Sequence, residues 1–220
     1  MNIAIDGPSG AGKSSLAKAI AKELGIIYVD TGALYRTIGL YMKKNDIDPK
    51  DETAVTAALC GIDLRLAFSD GAQHIYLCGE DVGDSIRTPE MSLYASAVSA
   101  IGAVRAFLLE TQRKVARESS VVMDGRDIGT VILPDAGCKI FLTASPEARA
   151  RRRTEELREK GISATYEEVL ADMVLRDRND STRAIAPAVP AKDAVFLDNS
   201  DMSAEETLAS AIKIIKNSAK

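Results

Sequence analysis

The sequence predicts an α/β fold in which helices flank a mainly parallel sheet. Short apolar runs alternate with longer segments of helical period along most of the chain. A glycine-rich loop lies between the first apolar run and the first of these segments. Of the 220 residues, 46% are apolar, which is enough to bury a core over most of the length, so we expect one domain with inserts.

The predicted elements follow one another as repeated strand, loop and helix units. Apolar runs predict strands at residues 2–5, 26–29, 121–123, 139–142 and 194–197. Helical period predicts one helix at 14–24, where Leu16, Ile20 and Leu24 share a face, a long helix within 91–117, and a last helix from about 204 to 215. Gly25 is expected to end the first helix in a left-handed conformation.

Two segments differ from this pattern and are expected to extend from the core. Between residues 62 and 82, short alternating pieces flank a turn at Ser69, Asp70 and Gly71, which predicts a small antiparallel insert. From 145 to 183 the chain is strongly charged and has few large apolar residues, which is typical of an exposed helical arm.

Composition argues against several classes of function. The net charge of -4 is not that of a nucleic-acid-binding protein, which normally carries a basic surface. The three cysteines are scattered and form no C-x-x-C pair, so we expect a reducing, cytoplasmic location. The first residues lack the pattern of a secretory leader, and no apolar run approaches the ~20 residues of a membrane span. With one histidine, His74, which we interpret as an exposed strand residue, histidine-based triads and histidine-rich metal sites are largely excluded.

The most specific motif is the run Gly7-Pro8-Ser9-Gly10-Ala11-Gly12-Lys13-Ser14, which matches G-x-x-x-x-G-K-[ST] between a predicted strand and a predicted helix. Its backbone N–H groups can surround a phosphate, its lysine supplies a cation, and its serine hydroxyl can ligate Mg²⁺. A glycine-rich turn without function is the plain alternative. A dinucleotide-binding loop is the other alternative, since Asp30 ends the next strand, but its third glycine position holds Ser15.

Further runs along the chain carry a resemblance to a known family. They are Asp30-Thr31-Gly32-Ala33-Leu34-Tyr35-Arg36, Asp124-Gly125-Arg126-Asp127-Ile128-Gly129-Thr130, Arg176-Asp177-Arg178-Asn179-Asp180-Ser181-Thr182-Arg183, and the segment 79–88. With the phosphate loop, and in this order, they closely resemble the bacterial cytidylate kinase family over nearly the whole chain. The resemblance implies a core at about 1–60, 95–148 and 184–220, a monophosphate-binding insert at about 61–94 and a lid at about 149–183.

The resemblance also implies transfer of a phosphoryl group from ATP to CMP or dCMP, with a role for each matching residue. The acceptor's α-phosphate would be held by Arg36, Arg126 and Arg183, and its ribose by Arg176 and Asp180. The cytosine edge would be read by Ser96, Arg105 and Asp127. Thr31 stands where some members have serine and keeps the hydroxyl of the acceptor site.

On the donor side, the implied ATP-binding residues are Gly7, Pro8, Ser9, Gly10, Ala11, Gly12, Lys13, Ser14, Ser15 and the lid residues Arg149, Arg152 and Arg153. The implied catalytic residues are Lys13, Arg126 and Arg152, which would offset charge on the moving phosphoryl group. The implied ligands of Mg²⁺ are Ser14 and Asp124.

Several of these residues allow a second interpretation from the sequence alone. Asp124 at the end of a strand, and Asp6 before the loop, can equally cap a turn. Arg36 can be a surface charge on an amphipathic helix, and Tyr35 beside it a packing residue. Arg105 and Asp127 can form a structural ion pair with each other. The lid arginines, which share one helical face, can instead pair within the helix with Glu155, Glu156 and Glu159.

The sequence therefore favours a monomeric kinase that binds ATP with Mg²⁺ and phosphorylates CMP or dCMP. Another P-loop kinase, acting on a different nucleoside monophosphate or small molecule, is the nearest alternative. A nucleotide-dependent switch or binding module is the alternative from a different class. The chain lacks the N-K-x-D signature of guanine-nucleotide switches, and a switch does not need three arginines for an acceptor phosphate.

Overall fold

A computed structural model describes residues 1–69, 71–159 and 161–218. Its strands are β1 (Asn2–Asp6), β2 (Ile27–Asp30), β3 (Leu64–Ser69), β4 (Ala72–Leu77), β5 (Glu80–Asp81), β6 (Val121–Gly125), β7 (Cys138–Thr143) and β8 (Val195–Asp198). Its α-helices are α1 (Lys13–Leu24), α2 (Thr31–Lys44), α3 (Glu52–Ala58), α4 (Pro89–Val98), α5 (Gly102–Glu118), α6 (Pro146–Glu159), α7 (Tyr166–Thr182) and α8 (Ala204–Ser218). A 3₁₀ turn lies at Leu59–Gly61, and a π-helical turn at Ile128–Ile132.

The chain divides into two compact units. The first unit comprises Met1–Ile26 and Val122–Lys220, and the second comprises Ile27–Val121. The boundaries expected for an insert and a lid do not follow this division and stay predictions.

A parallel sheet forms the centre of the first unit, with strands in the order β6-β1-β7-β8. β1 pairs with β7 in parallel from Ile3 opposite Cys138, and β7 pairs with β8 in parallel from Ile140 opposite Val195. Ile3, Ile5 and Ile140 are almost fully buried, as expected of strands covered on both faces. Helices flank the sheet, and α1 packs against α8. The carboxyl ends of parallel strands meet at one edge, which is where such sheets bind ligands.

The second unit combines helices with the antiparallel sheet β3-β4-β5. β3 pairs with β4 from Leu64 opposite Leu77 to Ser69 opposite Ala72, which confirms the predicted antiparallel segment. The predicted turn residue Asp70 lies outside the described residues. Helices α2 and α4 pack closely at Gly39. A Cβ atom at this position would lie only 2.7 Å from Cβ of Tyr94. Only glycine fits at that contact.

The prediction of one long helix within 91–117 is wrong, because the structure has two helices there. α4 ends at Val98 and α5 begins at Gly102, and their axes differ by 103°. Ile101 adopts an extended backbone (φ -87°, ψ 121°), and the hydroxyl of Ser99 donates to the carbonyl oxygen of Ser96. A serine side chain that bonds to the backbone competes with helix continuation, and glycine has a low helix propensity.

The predicted strands and the helix at 14–24 are confirmed to within two residues, and the last helix begins as predicted but ends three residues later, at Ser218. Gly25 has a φ of 64° and ends α1 in the predicted left-handed conformation. The charged arm is helical as predicted, as α6 and α7, and α7 begins with a capping box formed by Thr165 and Glu168.

In the part of the chain that the structure describes, no single helix is long and apolar enough to cross a membrane. The bent pair of α4 and α5 reaches that length and apolar content only when the two helices are taken together.

Candidate phosphoryl-transfer site

The phosphate loop connects β1 to α1 and depends on its glycines. Gly7, Gly10 and Gly12 have φ values of 148°, 75° and 88°, which side chains rarely adopt. A Cβ atom on Gly7 would also stand 1.9 Å from the carbonyl oxygen of Leu142. No side chain in the described ranges caps the start of α1, so its first backbone N–H groups can bind an anion.

Lys13 lies under this loop rather than in solvent. Its side chain is buried, and its Nζ donates to the carbonyl oxygen of Pro8 at 2.7 Å. Burial lowers the pKa of Lys13 well below its ordinary value, the positive charge of Arg126 lowers it further, and Asp124 and Asp6 offset only part of the shift. An anion beside Lys13 would therefore stabilise its charged form.

Ser14 and Asp124 form the contact expected of a Mg²⁺ site in this motif. The Ser14 hydroxyl donates to Oδ2 of Asp124 at 2.8 Å, and Asp124 is buried at the end of β6. A hydroxyl and one carboxylate, completed by water and substrate phosphates, are the oxygen ligands that Mg²⁺ takes in such sites. Elsewhere in the described ranges there is no group of three or more His, Cys, Asp or Glu that could hold a metal ion. These residues fit Mg²⁺, and a ligand role stays a prediction.

Asp6 binds the backbone that follows β6. Its two carboxylate oxygens accept from the N–H groups of Ile128 and Gly129, each at 2.7 Å. Burial raises its pKa from 3.8 to about 6, although the two backbone N–H groups oppose the shift. These contacts agree with the interpretation that Asp6 caps a turn, which is the turn after Asp127.

This raised pKa predicts a pH dependence of stability. The folded protein binds the Asp6 proton more tightly than the unfolded chain, so the free energy of unfolding falls as pH rises from about 4 to about 6 and then levels off. A shift of about two units corresponds to roughly 3 kcal/mol. Urea unfolding of the wild type and Asp6→Asn between pH 4 and 7 measures the effect. A difference between the two proteins that stays constant with pH, or changes in the opposite direction, would contradict the assignment.

Two arginine–carboxylate contacts join the residues that follow β6 to the segment 180–183 at the end of α7. Arg126 Nε lies 2.8 Å from Oδ2 of Asp180, and both side chains are mostly buried. Asp127 is buried, with Nη2 of Arg183 at 3.9 Å from its Oδ1. Arg183 also donates from Nε to the carbonyl oxygen of Ala186. Arg126 and Asp127 thus each lie beside a residue of the segment 180–183, and the roles that the resemblance implies for these residues stay predictions.

The arginines of α6 that are implied to bind ATP, namely Arg149, Arg152 and Arg153, have different environments. Arg149 is 3% exposed and forms an ion pair with Asp177 at 2.7 Å. Arg152 donates from Nη2 to the carbonyl oxygen of Asn199 at 2.6 Å and from Nη1 to the Asn199 side chain at 3.2 Å. Arg153 pairs with Glu156 three residues later, so the intrahelical alternative describes Arg153 but not the other two.

The acceptor residues of the second unit are grouped around the start of α2. Asp30 caps this helix by accepting from the N–H of Ala33 at 2.9 Å, and it pairs with Nη2 of Arg36 at 2.9 Å. The Gln73 side chain bonds both the N–H and the carbonyl oxygen of Asp30, at 2.8 and 3.2 Å. Within the described residues, the buried Nε of Arg36 has no hydrogen-bond partner, so this donor can bind an anion. Gln73 carried no sequence signal, because its contact spans 43 residues.

The remaining residues implied to bind the acceptor nucleotide lie at the start of α2 and on α4, α5 and α7. Thr31 is buried as the first residue of α2, and Ser96 is half-buried on α4. Arg105 is buried on α5, donates from Nη1 to the carbonyl oxygen of Ser99 at 3.1 Å, and stands 5.5 Å from the centre of the Tyr35 ring. Arg176 is half-buried on α7 of the first unit.

A cleft of about 270 Å³ opens within the first unit beside the phosphate loop. Its lining residues are Pro8, Arg126, Phe141, Thr143, Arg149, Asp177, Arg178, Asp180, Ser181 and Ala188. The lining carries three guanidinium groups and two carboxylates, because Arg126 pairs with Asp180 and Arg149 with Asp177. Arg178 adds a further cation, and planar forked donors of this kind match phosphate oxygens.

The parallel α/β sheet, the loop between β1 and α1 and these arginines define a P-loop kinase. The sequence profile of the cytidylate kinase family matches residues 3–217, and the chain belongs to that family.

The curated relatives agree over the full length. The protein named cytidylate kinase from Thermosipho melanesiensis is 47% identical over 218 residues, which cover 99% of this chain and 98% of the relative. The one from Caldicellulosiruptor bescii is 47% identical with the same coverage. A crystal structure of an uncharacterized protein from Eubacterium ventriosum is similar in fold, with a TM-score of 0.57 at 15% identity, covering 99% of this chain and 98% of that one.

Proposed function

We propose that this protein transfers the γ-phosphoryl group of ATP to CMP or dCMP, which gives ADP and CDP or dCDP. The observation that carries the proposal is the cluster of arginines and carboxylates beside the phosphate loop, in a member of the cytidylate kinase family. Phosphoryl transfer between nucleotides needs two polyanions held in line and their charge offset, with little acid–base chemistry. A site rich in arginine and without histidine supplies this.

On the donor side, the loop residues Gly7–Ser15 bind the phosphates of ATP through backbone N–H groups and Lys13. Ser14 and Asp124 hold Mg²⁺, which offsets phosphate charge when it is bound. Arg152 and Arg153 approach the phosphates as the arm at about 149–183 closes over them, and closure excludes water that would otherwise hydrolyse ATP.

On the acceptor side, Arg36, Arg126 and Arg183 hold the α-phosphate, and Arg176 and Asp180 bind the ribose. Ser96, Arg105 and Asp127 read the cytosine, in which the exocyclic amine donates to the carboxylate. Thr31 supplies a hydroxyl to the same acceptor. The enzyme acts in the cytoplasm as a monomer, and its partners are small nucleotides. Sedimentation at the protein concentration of the assay measures the oligomeric state.

The experiment is a product assay with ATP, Mg²⁺ and one monophosphate at a time. Diphosphate forms rapidly from CMP and dCMP and slowly from UMP or AMP. Equal rates with UMP or AMP would contradict the substrate and leave the reaction intact. ATP hydrolysis that no monophosphate stimulates would instead favour a switch or binding module.

The Arg152→Ala variant tests the lid side of this proposal. Because Arg152 would contact ATP only in the closed state, kcat falls by about tenfold or more while the affinity for CMP stays near normal. Steady-state kinetics and CMP titration by calorimetry measure both quantities. Arg151→Ala, which changes an exposed neighbour on the same helix, is the control. An unchanged kcat would limit Arg152 to its contacts with Asn199 and Ser200.

A further inference from the structure

Ser9 and Gly10 form the crest of the phosphate loop. One ion pair contacts the backbone of Ser9 at both its carbonyl oxygen and its N–H group. The Ser9 carbonyl oxygen accepts from Nη1 of Arg149 at 2.8 Å, and the Ser9 N–H donates to Oδ1 of Asp177 at 3.3 Å. Nη1 of Arg149 lies 2.7 Å from Oδ2 of Asp177. The three contacts close a ring, so the conformation of this residue depends on both side chains.

This pair differs from an ordinary surface ion pair. Arg149 is 3% exposed and Asp177 is 23% exposed. Arg149 is fixed further by a hydrogen bond from Nε to the carbonyl oxygen of Ala144 at 3.0 Å, at the end of β7. Exposed pairs contribute little because water and salt screen them, whereas a buried guanidinium depends on its carboxylate.

Helix α7 also packs on the loop next to this pair. A Cβ atom on Gly10 would stand 2.8 Å from Cε of Met173, so the helix and the loop crest are in close contact. Met173, Asp177 and Asp180 are spaced at i, i+4 and i+7 and therefore share one helix face. The face that holds the loop thus also carries Asp180, the carboxylate that contacts Arg126.

We infer that Arg149 and Asp177 form a clamp that sets the conformation of the loop crest, and that Asp177 is a positioning residue for the donor site. The inference rests on the proposed function, and it gives Arg149 a role in loop geometry rather than in direct contact with ATP. Because donor phosphates bind the N–H groups of this loop, loss of the clamp weakens ATP binding. The affinity for CMP does not depend on the crest and stays nearly unchanged.

The test is a double-mutant cycle with Asp177→Asn and Arg149→Gln. Calorimetry gives the Kd for ATP, and steady-state assays give kcat and the KM values for ATP and CMP. Each single variant raises the Kd and KM for ATP about tenfold, the size expected from losing one or two hydrogen bonds that involve charge, and changes KM for CMP by less than about twofold. The double variant is no worse than either single variant, because both remove the same clamp. Asp172→Asn makes the same charge change at an exposed position of α7 and leaves every value unchanged.

If the effects of the two single substitutions on the Kd for ATP multiply in the double variant, the clamp is contradicted, because Arg149 would then contact ATP on its own. Unchanged ATP affinity in the single variants would also overturn it. If the single variants fail to fold because one buried charge is unpaired, the double variant removes both charges, and a Kd for ATP equal to that of the wild type would overturn the clamp. A wild type that binds ATP but does not phosphorylate CMP would contradict the proposed function instead, and the Kd values would still test the clamp.

Discussion

Replacing Lys13 by alanine is expected to lower kcat by about 10²- to 10³-fold, the size of a preorganised charge contact in a transition state. Lys13 is the cation of the phosphate loop, and its hydrogen bond goes to Pro8 of the same loop. Charge that develops on the transferred phosphoryl group would be offset by this ammonium. The loss should appear mainly in kcat, because the interaction strengthens as the transition state forms.

The same substitution is expected to leave the fold intact. Burial lowers the pKa of Lys13 well below its ordinary value, which means that folding pays a desolvation cost for this charge. Removing this cost offsets the loss of the hydrogen bond to Pro8, so the variant is expected to unfold cooperatively, as the wild type does.

Urea unfolding and steady-state kinetics of the Lys13→Ala variant measure the two effects together. Lys22→Ala, at an exposed position in the last turn of the same helix, is the matched control and keeps full activity. Loss of cooperative unfolding together with activity would make Lys13 a structural residue. An unchanged kcat would remove it from the reaction.

The phosphate loop and the sheet could be predicted from the sequence because their causes are local. Positive φ values at Gly7, Gly10 and Gly12 require glycine, and a strand before and a helix after the motif are visible as apolar runs. The sequence does not predict the break between α4 and α5, because no proline marks it and it lies at a short turn around one extended residue, Ile101.

Residues that support the site through long-range contacts could not be predicted in this way. Gln73 reaches the backbone of Asp30, and Asp177 reaches Ser9 across 168 positions of the chain. Neither residue type indicates by itself that it holds a backbone segment of a binding site. Asp177 lies within the run 176–183 that carries the family resemblance, but only the packing of α7 on the loop distinguishes it from its charged neighbours.

The second large effect is expected in base selectivity. The Asp127→Ala variant should reduce the ratio of kcat/KM for CMP over UMP by about ten- to a hundredfold, chiefly by weakening CMP. The exocyclic amine of cytosine can donate to a buried carboxylate, whereas uracil presents a carbonyl oxygen there. Two acceptors that face each other lose their solvation without gaining a hydrogen bond. One good contact to a base edge discriminates by roughly 1–3 kcal/mol, which sets the size of the effect.

Because Arg183 lies beside Asp127, the Asp127→Ala variant can lower activity in two different ways. Nη2 of Arg183, a proposed ligand of the acceptor phosphate, lies 3.9 Å from Oδ1 of Asp127, and both side chains are mostly buried. If Asp127 only holds Arg183 in place, CMP and UMP lose activity in equal proportion, because both carry the same phosphate. If Asp127 reads the base, CMP falls and UMP changes little. Kinetics with both nucleotides, and with Asp135→Ala as an exposed control in the segment before β7, therefore separate recognition of the base from support of the phosphate site.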